Sequence, residues 1–181
     1  MKSDLRPSPH CQRRRGRAQA MTEFAIVAPV LFVLLFGVLE GGFLLFTVGT
    51  ARFAAGDAAR QLSEDGNAAS ADQNALAIIR KTGLVTTSMG TVTRVDIYRL
   101  NQQPDGTLTV DIARVNSYLI DGTALGSINW PPTTRDIRNG EMDFVGITVY
   151  YRYNWKTGIF NGGGPLQLNN AVYLRLEPQL Y

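Results

Sequence analysis

Hydrophobic positions follow three different patterns along the chain. From Phe24 to Leu39, sixteen successive residues carry no charge, and after Glu40 the apolar run resumes as far as Gly49. Counted whole, this stretch makes about 39 Å of helix at ~1.5 Å per residue. A bilayer core asks for only about 20 apolar residues. The pattern predicts a tilted transmembrane helix over residues 19–49. A cleaved secretory signal is the rival reading, because basic residues precede the run and small ones follow it near Ala51, Ala54 and Ala55. Signal-peptide cores are shorter, at about 7–15 residues.

From residue 50 to 82 the apolar positions thin to a mixed small-residue stripe of Phe53, Ala54, Asp57, Ala58, Gln61 and Leu62. It predicts a helical extension that breaks at Glu64-Asp65-Gly66-Asn67, where Gly and Asn supply a C-terminal cap. A second helix fits Ser70 to Lys81. Ser70 or Asp72 would cap it, Leu76, Ile78 and Ile79 would face inward, and Gly83 would end it. After Gly83 the period falls to two. Strands are expected at Val92–Leu100 and Leu108–Val115, joined by Gln103-Pro104-Asp105-Gly106 with Pro and Gly placed as in a type I turn. Phe144–Trp155 is the strongest strand, rich in β-branched and aromatic residues, and Ala171–Leu176 is the last. Residues 116–143, with Trp130-Pro131-Pro132, read as irregular. The fold class is α+β: a long N-terminal transmembrane helix, then a β-rich domain over 83–181 with a three- to four-stranded antiparallel sheet.

Charge sharpens the topology. Lys2, Arg6, Arg13, Arg14, Arg15 and Arg17 stand against Asp4 alone in residues 1–18, whereas from residue 50 onward there are 12 basic and 12 acidic residues. The basic excess therefore belongs to the tail. Such a tail buries too little apolar surface to order itself and should be disordered in isolation. Placed just before an apolar span, Arg13, Arg14, Arg15 and Arg17 set the topology, with the N-terminus cytoplasmic and the C-terminal domain extracytoplasmic. A nucleic-acid-binding protein would carry its basic residues on the folded part, so no nucleic-acid partner is expected.

Candidate chemistry is sparse. The only Cys and His, Cys11 and His10, both lie in the tail. This removes His-based general-base catalysis and the common zinc ligand sets from the rest of the chain. Asp136 to Asp143 lacks the alternating ligands of a calcium loop, and Gly162-Gly163-Gly164 runs into Pro165 rather than into a helix. No catalytic residue, metal or cofactor is expected, and the chain reads as non-enzymatic. Tyr150, Tyr151, Tyr153 and Trp155 keep open a membrane-tethered binding or adhesion module, although strand core claims at least half of them.

The informative residues are Glu23 and Glu40, because an ionisable group in a membrane span costs at least a few kcal/mol. Glu23 sits at the basic edge, where headgroups and Arg17 can meet it. Glu40 lies about 25 Å further along the helix, either at the outer interface or against a partner inside the bilayer. Gly37 and Gly41 form a small-xxx-small pair of the kind that supports helix–helix contact in lipid.

The run Arg15-Gly16-Arg17-Ala18-Gln19-Ala20-Met21-Thr22-Glu23-Phe24-Ala25, followed by Pro29 and by Gly37-Val38-Leu39-Glu40-Gly41-Gly42, resembles the N-terminus of TadE-like proteins. These are pilin-like components of the tight-adherence (Flp) pilus machinery. The resemblance is strongest over residues 13–60. It implies a pilin-like extracytoplasmic domain and a place in the bacterial cytoplasmic membrane. It further implies partnership with other pilin-like or pilus-assembly subunits, and processing by a prepilin peptidase between Ala18 and Gln19. Glu23 would then become the fifth residue of the mature chain and neutralise the new N-terminal amine of a neighbouring subunit. Glu40, Gly37 and Gly41 would share in helix assembly. The family pattern has Gly where this chain has Ala18, which leaves the cleavage point open.

Overall fold

The computed structural model describes residues 9–87, 89–158 and 164–178, with side chains from Gln19 onward. Helix α1 runs Pro9–Asp65, and the chain divides into two compact units, Met1–Gly41 and Gly42–Tyr181. Helix begins at Pro9 rather than at Gln19, so residues 9–18 of the basic tail continue the helix of the apolar stretch. Pro is well placed as a first helical residue because its missing N–H needs no partner there. Arg, Gln and Ala also propagate a helix readily once the apolar stretch has nucleated it. Residues 1–8 lie outside the described residues.

In the first unit most of the helix is uncovered. Phe32, Val33, Leu34, Leu35 and Phe36, five successive residues that together point around the whole helix, are all exposed. Gln19–Asp65 is the one described helix long and apolar enough to cross a membrane. One long apolar N-terminal helix of this kind suits single-pass membrane anchoring.

In the second unit the same helix becomes one-sided. Ala51, Ala54, Ala55, Ala58, Ala59 and Leu62 are fully buried, at the i, i+3, i+4, i+7, i+8 spacing of a single face. Gly66 ends the helix with φ 55, its N–H donating to the Leu62 carbonyl at 3.1 Å. That is the glycine cap expected from the sequence. Helix α2 (Ala71–Lys81) follows, with Leu76 and Ile79 buried and Ile78 only half-buried. Thr82 closes α2, and Gly83 opens a short α3 (Gly83–Thr86) instead of ending α2.

The sheet contains β1 (Gly90–Gln102), β2 (Leu108–Tyr118), β3 (Phe144–Tyr153) and β4 (Leu166–Arg175), all antiparallel, in the order β2-β1-β3-β4. The turn between β1 and β2 is closed by Gly106 N–H to the Gln103 carbonyl at 2.9 Å. β4 starts five residues earlier than the apolar pattern indicates, because Leu166–Asn170 continue the ladder on β3 with polar residues facing outward. Val95, Ile97, Val145, Ile147, Val149 and Tyr151 project from one face of the sheet into the same core as the α1 alanines, joined by Leu76, Ile79, Leu84, Trp130 and Leu176.

The opposite face is closed by a ring on a glycine. Tyr98 pairs across strands with Gly146 and is 6% exposed, its hydroxyl bonded to Thr148 Oγ1 at 2.8 Å. A Cβ at Gly146 would lie 2.8 Å from Tyr98 Cζ, so the ring would have to leave its site. Gly146→Ala is therefore expected to destabilise by about 1–3 kcal/mol through overpacking. Thermal denaturation of the full chain in detergent micelles should show a lower midpoint.

Candidate functional site

The residues singled out along the N-terminal helix take distinct environments. Ala18–Gln19 is a peptide link within α1. Gln19 Nε2 donates to Glu23 Oε1 at 2.9 Å, one helical turn on, and Glu23 is otherwise exposed. The helix thus presents the carboxylate beside the expected cleavage point. Gly37 and Gly41 lie on one face at i, i+4, and a Cβ on either would meet nothing within 4 Å. Glu40 is only 1% exposed. Glu23 and Glu40 are not brought together. For Arg13, Arg14, Arg15 and Arg17 only the helical backbone is described.

The second unit contains a buried polar cluster that the sequence did not reveal. Asp72, on the first turn of α2, is read from sequence as a cap. In the structure Ser70 occupies the N-cap position without a side-chain cap bond, and the Asp72 carboxylate is turned inward. One oxygen pairs with Arg135 Nη2 at 2.5 Å, and the other accepts from Tyr118 Oη at 2.7 Å and from Asn116 Nδ2 at 3.0 Å. Asn116 also accepts from Trp130 N at 2.9 Å and donates to the Trp130 carbonyl at 2.7 Å. The Arg135 guanidinium lies over the Trp130 ring, 4.4 Å from its centroid. Its Nε and Nη1 are buried without an acceptor among the described residues, so the ring face is their compensation. The cluster ties α2, β2 and the 119–143 connection into one body. The Trp130-Pro131-Pro132 run was its one visible sign.

Other candidate chemistry resolves into structure. Asp143 pairs with Arg99 at 2.7 Å and accepts from the Asp136 N–H at 2.9 Å, while Arg138 holds Asp136 and Glu141. The hydrogen-bonded Arg138 guanidinium pulls the Asp136 carboxyl pKa down to about 2. These carboxylates answer arginines rather than converging on a centre. Tyr151 and Tyr153 are core residues, Tyr150 lies beneath Arg94 at 4.2 Å, and the Trp155 indole donates to the Gly164 carbonyl at 2.8 Å. At least two of the four aromatics therefore serve the core, as expected. Of the triple glycine only Gly164 falls within the described residues.

Two tyrosines make the fold alkali-sensitive. Burial, followed by the nearby Asp72 carboxylate, pushes the Tyr118 phenol up, and burial pushes Tyr98 up against the lowering effect of Thr148. A raised folded-state value means stability that is complete below the unfolded phenol value of about 10 and is lost as pH rises through the higher folded value. The unfolding midpoint of the full chain should accordingly fall above about pH 10, and Tyr98→Phe should flatten that fall. For the ion pair, Arg135→Met alone leaves a buried carboxylate uncompensated and should cost about 3–5 kcal/mol, whereas Asp72→Leu/Arg135→Met together should cost far less. A double-mutant cycle measured by thermal denaturation reads the difference.

A family model described as TadE-like protein matches residues 18–60. The matched stretch begins at Ala18, includes Glu23, Gly37, Glu40 and Gly41, and ends within the alanine-faced half of α1. The TadE-like resemblance is thus shown for this segment. No curated protein and no solved structure matches the chain.

Proposed function

We propose that this chain is a non-enzymatic, single-span membrane protein that acts in assembly of a tight-adherence-type pilus or related secretion apparatus. The observation that carries the reading is the coincidence of the TadE-like match with a helix long and apolar enough to cross a membrane. The N-terminus lies on the cytoplasmic side, held there by Arg13, Arg14, Arg15 and Arg17, and the β-sheet unit lies outside the bacterial cytoplasmic membrane. A prepilin peptidase cuts between Ala18 and Gln19. Glu23 then meets the freed amine of a neighbouring copy or pilin-like subunit. In low dielectric such a pair is favourable only when both charges are satisfied, so it rewards correct helix register. Gly37 and Gly41, with open space at their Cβ positions, let a second helix approach.

Mass spectrometry of the membrane-extracted chain, from cells with and without the peptidase, tests processing. The expected N-terminus is Gln19 with the peptidase and Met1 without it, and an intact Met1 in both would overturn cleavage. Glu23→Ala should leave membrane insertion unchanged and abolish or strongly reduce pilus formation. Normal piliation in that variant would remove the role given to Glu23.

A further inference from the structure

The two edges of the sheet are built differently. On β2, the register passes from Leu100↔Val110 to Tyr98↔Val115, so residues 111–114 bulge opposite Arg99 alone. Asp111 turns its carboxylate onto the Ala113 N–H at 3.2 Å and pairs with Arg114 at 3.7 Å. A bulge, two charges and a self-satisfied N–H are the usual means of closing an edge to further pairing. β4 has none of these. Its ten residues, LQLNNAVYLR, pair with β3 in unbroken register and carry no charge before Arg175. Its C-terminal end is held to α1 by Ser63, whose hydroxyl donates to the Arg175 carbonyl at 2.7 Å. Among the described residues no strand pairs with its outer edge.

Beside that edge lies an open groove of about 570 Å³, within the usual size of ligand-binding clefts, lined by Gly49, Arg52, Phe53, Gly56, Arg60 and Val172. It lies on the face of α1 away from the alanines. Phe53 is 76% exposed, and Val172 and Leu174, which point to the core side of β4, are only half-buried. A strand added to β4 would send alternate side chains into this groove. Among the described residues neither Arg52 nor Arg60 has a carboxylate within ion-pair distance, and Asp57 is the single acid in the groove. A second copy would bring the same surplus of arginines against itself. The occupant that fits is acidic. Arg52 and Arg60 are eight residues apart, about 12 Å along the helix, which four residues of strand span at about 13 Å.

We propose that β4 and the groove beside it bind an extended segment of a partner protein by strand addition. The segment carries acidic residues four positions apart, with an apolar residue midway between them against Phe53. Backbone pairing to β4 supplies the affinity and the groove supplies the selection. The assignment stands on the second unit and does not depend on pilus assembly.

The test uses the full chain in nanodiscs and fluorescence anisotropy of a labelled ten-residue peptide, the length of β4. The peptide has glutamates four positions apart around a central valine and threonine or serine elsewhere. It should bind saturably, and N-methylation of alternate backbone amides should abolish binding while leaving its charge intact. Arg52→Ala and Arg60→Ala should each weaken binding by about twofold to fivefold, as expected for exposed ion pairs. Arg52→Glu/Arg60→Glu should prefer the same peptide with lysines in place of the glutamates. Equal binding of the N-methylated peptide, or no binding of the parent peptide, overturns strand addition. Disulfide cross-linking between two copies of Asn169→Cys in a Cys11→Ser background, at a rate the peptide does not reduce, would assign the edge to a second copy and overturn the proposal.

Discussion

The contact on which the second unit depends is the alanine face of α1 against the sheet. A helix face made of Ala51, Ala54, Ala55, Ala58 and Ala59 presents nothing longer than a methyl group. Its backbone can therefore come close to the core side chains of the strands, and each fully buried alanine loses no rotamer entropy in doing so. The large residues that fill the layer come from the other side: Ile97, Ile147, Val149 and Tyr151 from the strands, Leu76 and Ile79 from α2. An enlarged side chain on this face would overpack the core and push the helix off the sheet. The same helix in the first unit carries Phe, Leu, Ile and Val on all sides. The residue composition changes where the surroundings change, from large apolar groups suited to lipid to small ones suited to a packed protein layer.

The buried ion pair acts at a different level. Asp72 and Arg135 are 63 positions apart and join α2 to the connection that precedes β3. Burying both charges costs more than their attraction returns unless the remaining donors and acceptors are also met. Here Asn116, Tyr118 and the Trp130 ring meet most of them. The pair therefore contributes less to stability than to uniqueness. A 119–143 connection with little regular structure is held to α2 and β2 through this carboxylate and its partners. Arg80 Nε and Gln73 Nε2 add bonds from α2 to the Ile120 and Gly122 carbonyls of the same segment, which strengthens that single arrangement.

Periodicity made most of the architecture legible. The apolar run, the cap at Gly66, the β1–β2 turn and the β3 strand all follow from local patterns, and the structure places them where those patterns do. The resemblance to TadE-like proteins was equally local, since it rested on Ala18-Gln19, Glu23 and the Gly37–Gly42 element of one helix. What was not legible depends on pairs far apart in sequence. Asp72 looked like a cap because a carboxylate near a helix start satisfies free N–H groups, and nothing nearby in sequence announces Arg135. Polar residues at the start of β4 hid a strand because its ladder is set by β3, not by its own hydrophobicity. Gly83 looked like a stop because glycine often ends helices, yet Thr82 in an extended conformation had already ended α2.

The contrast between the two sheet edges follows from the same distinction. An edge strand is dangerous in proportion to its length, flatness and lack of charge. β2 is protected by a bulge that its own sequence, with Asp111 and Arg114 inside the strand, makes favourable. β4 could have been protected as cheaply by one lysine among Gln167, Asn169 and Ala171, whose side chains already face outward. Leaving it open while the arginines at 52 and 60 flank the adjoining groove puts an uncharged backbone ladder beside exposed positive charge that no described carboxylate pairs. Such an edge disfavours its own copy through the groove and still offers the outer backbone groups that precede Arg175 to a strand of opposite charge. Openness and selectivity are therefore compatible at this edge, because pairing is decided by the backbone and the choice of partner by α1.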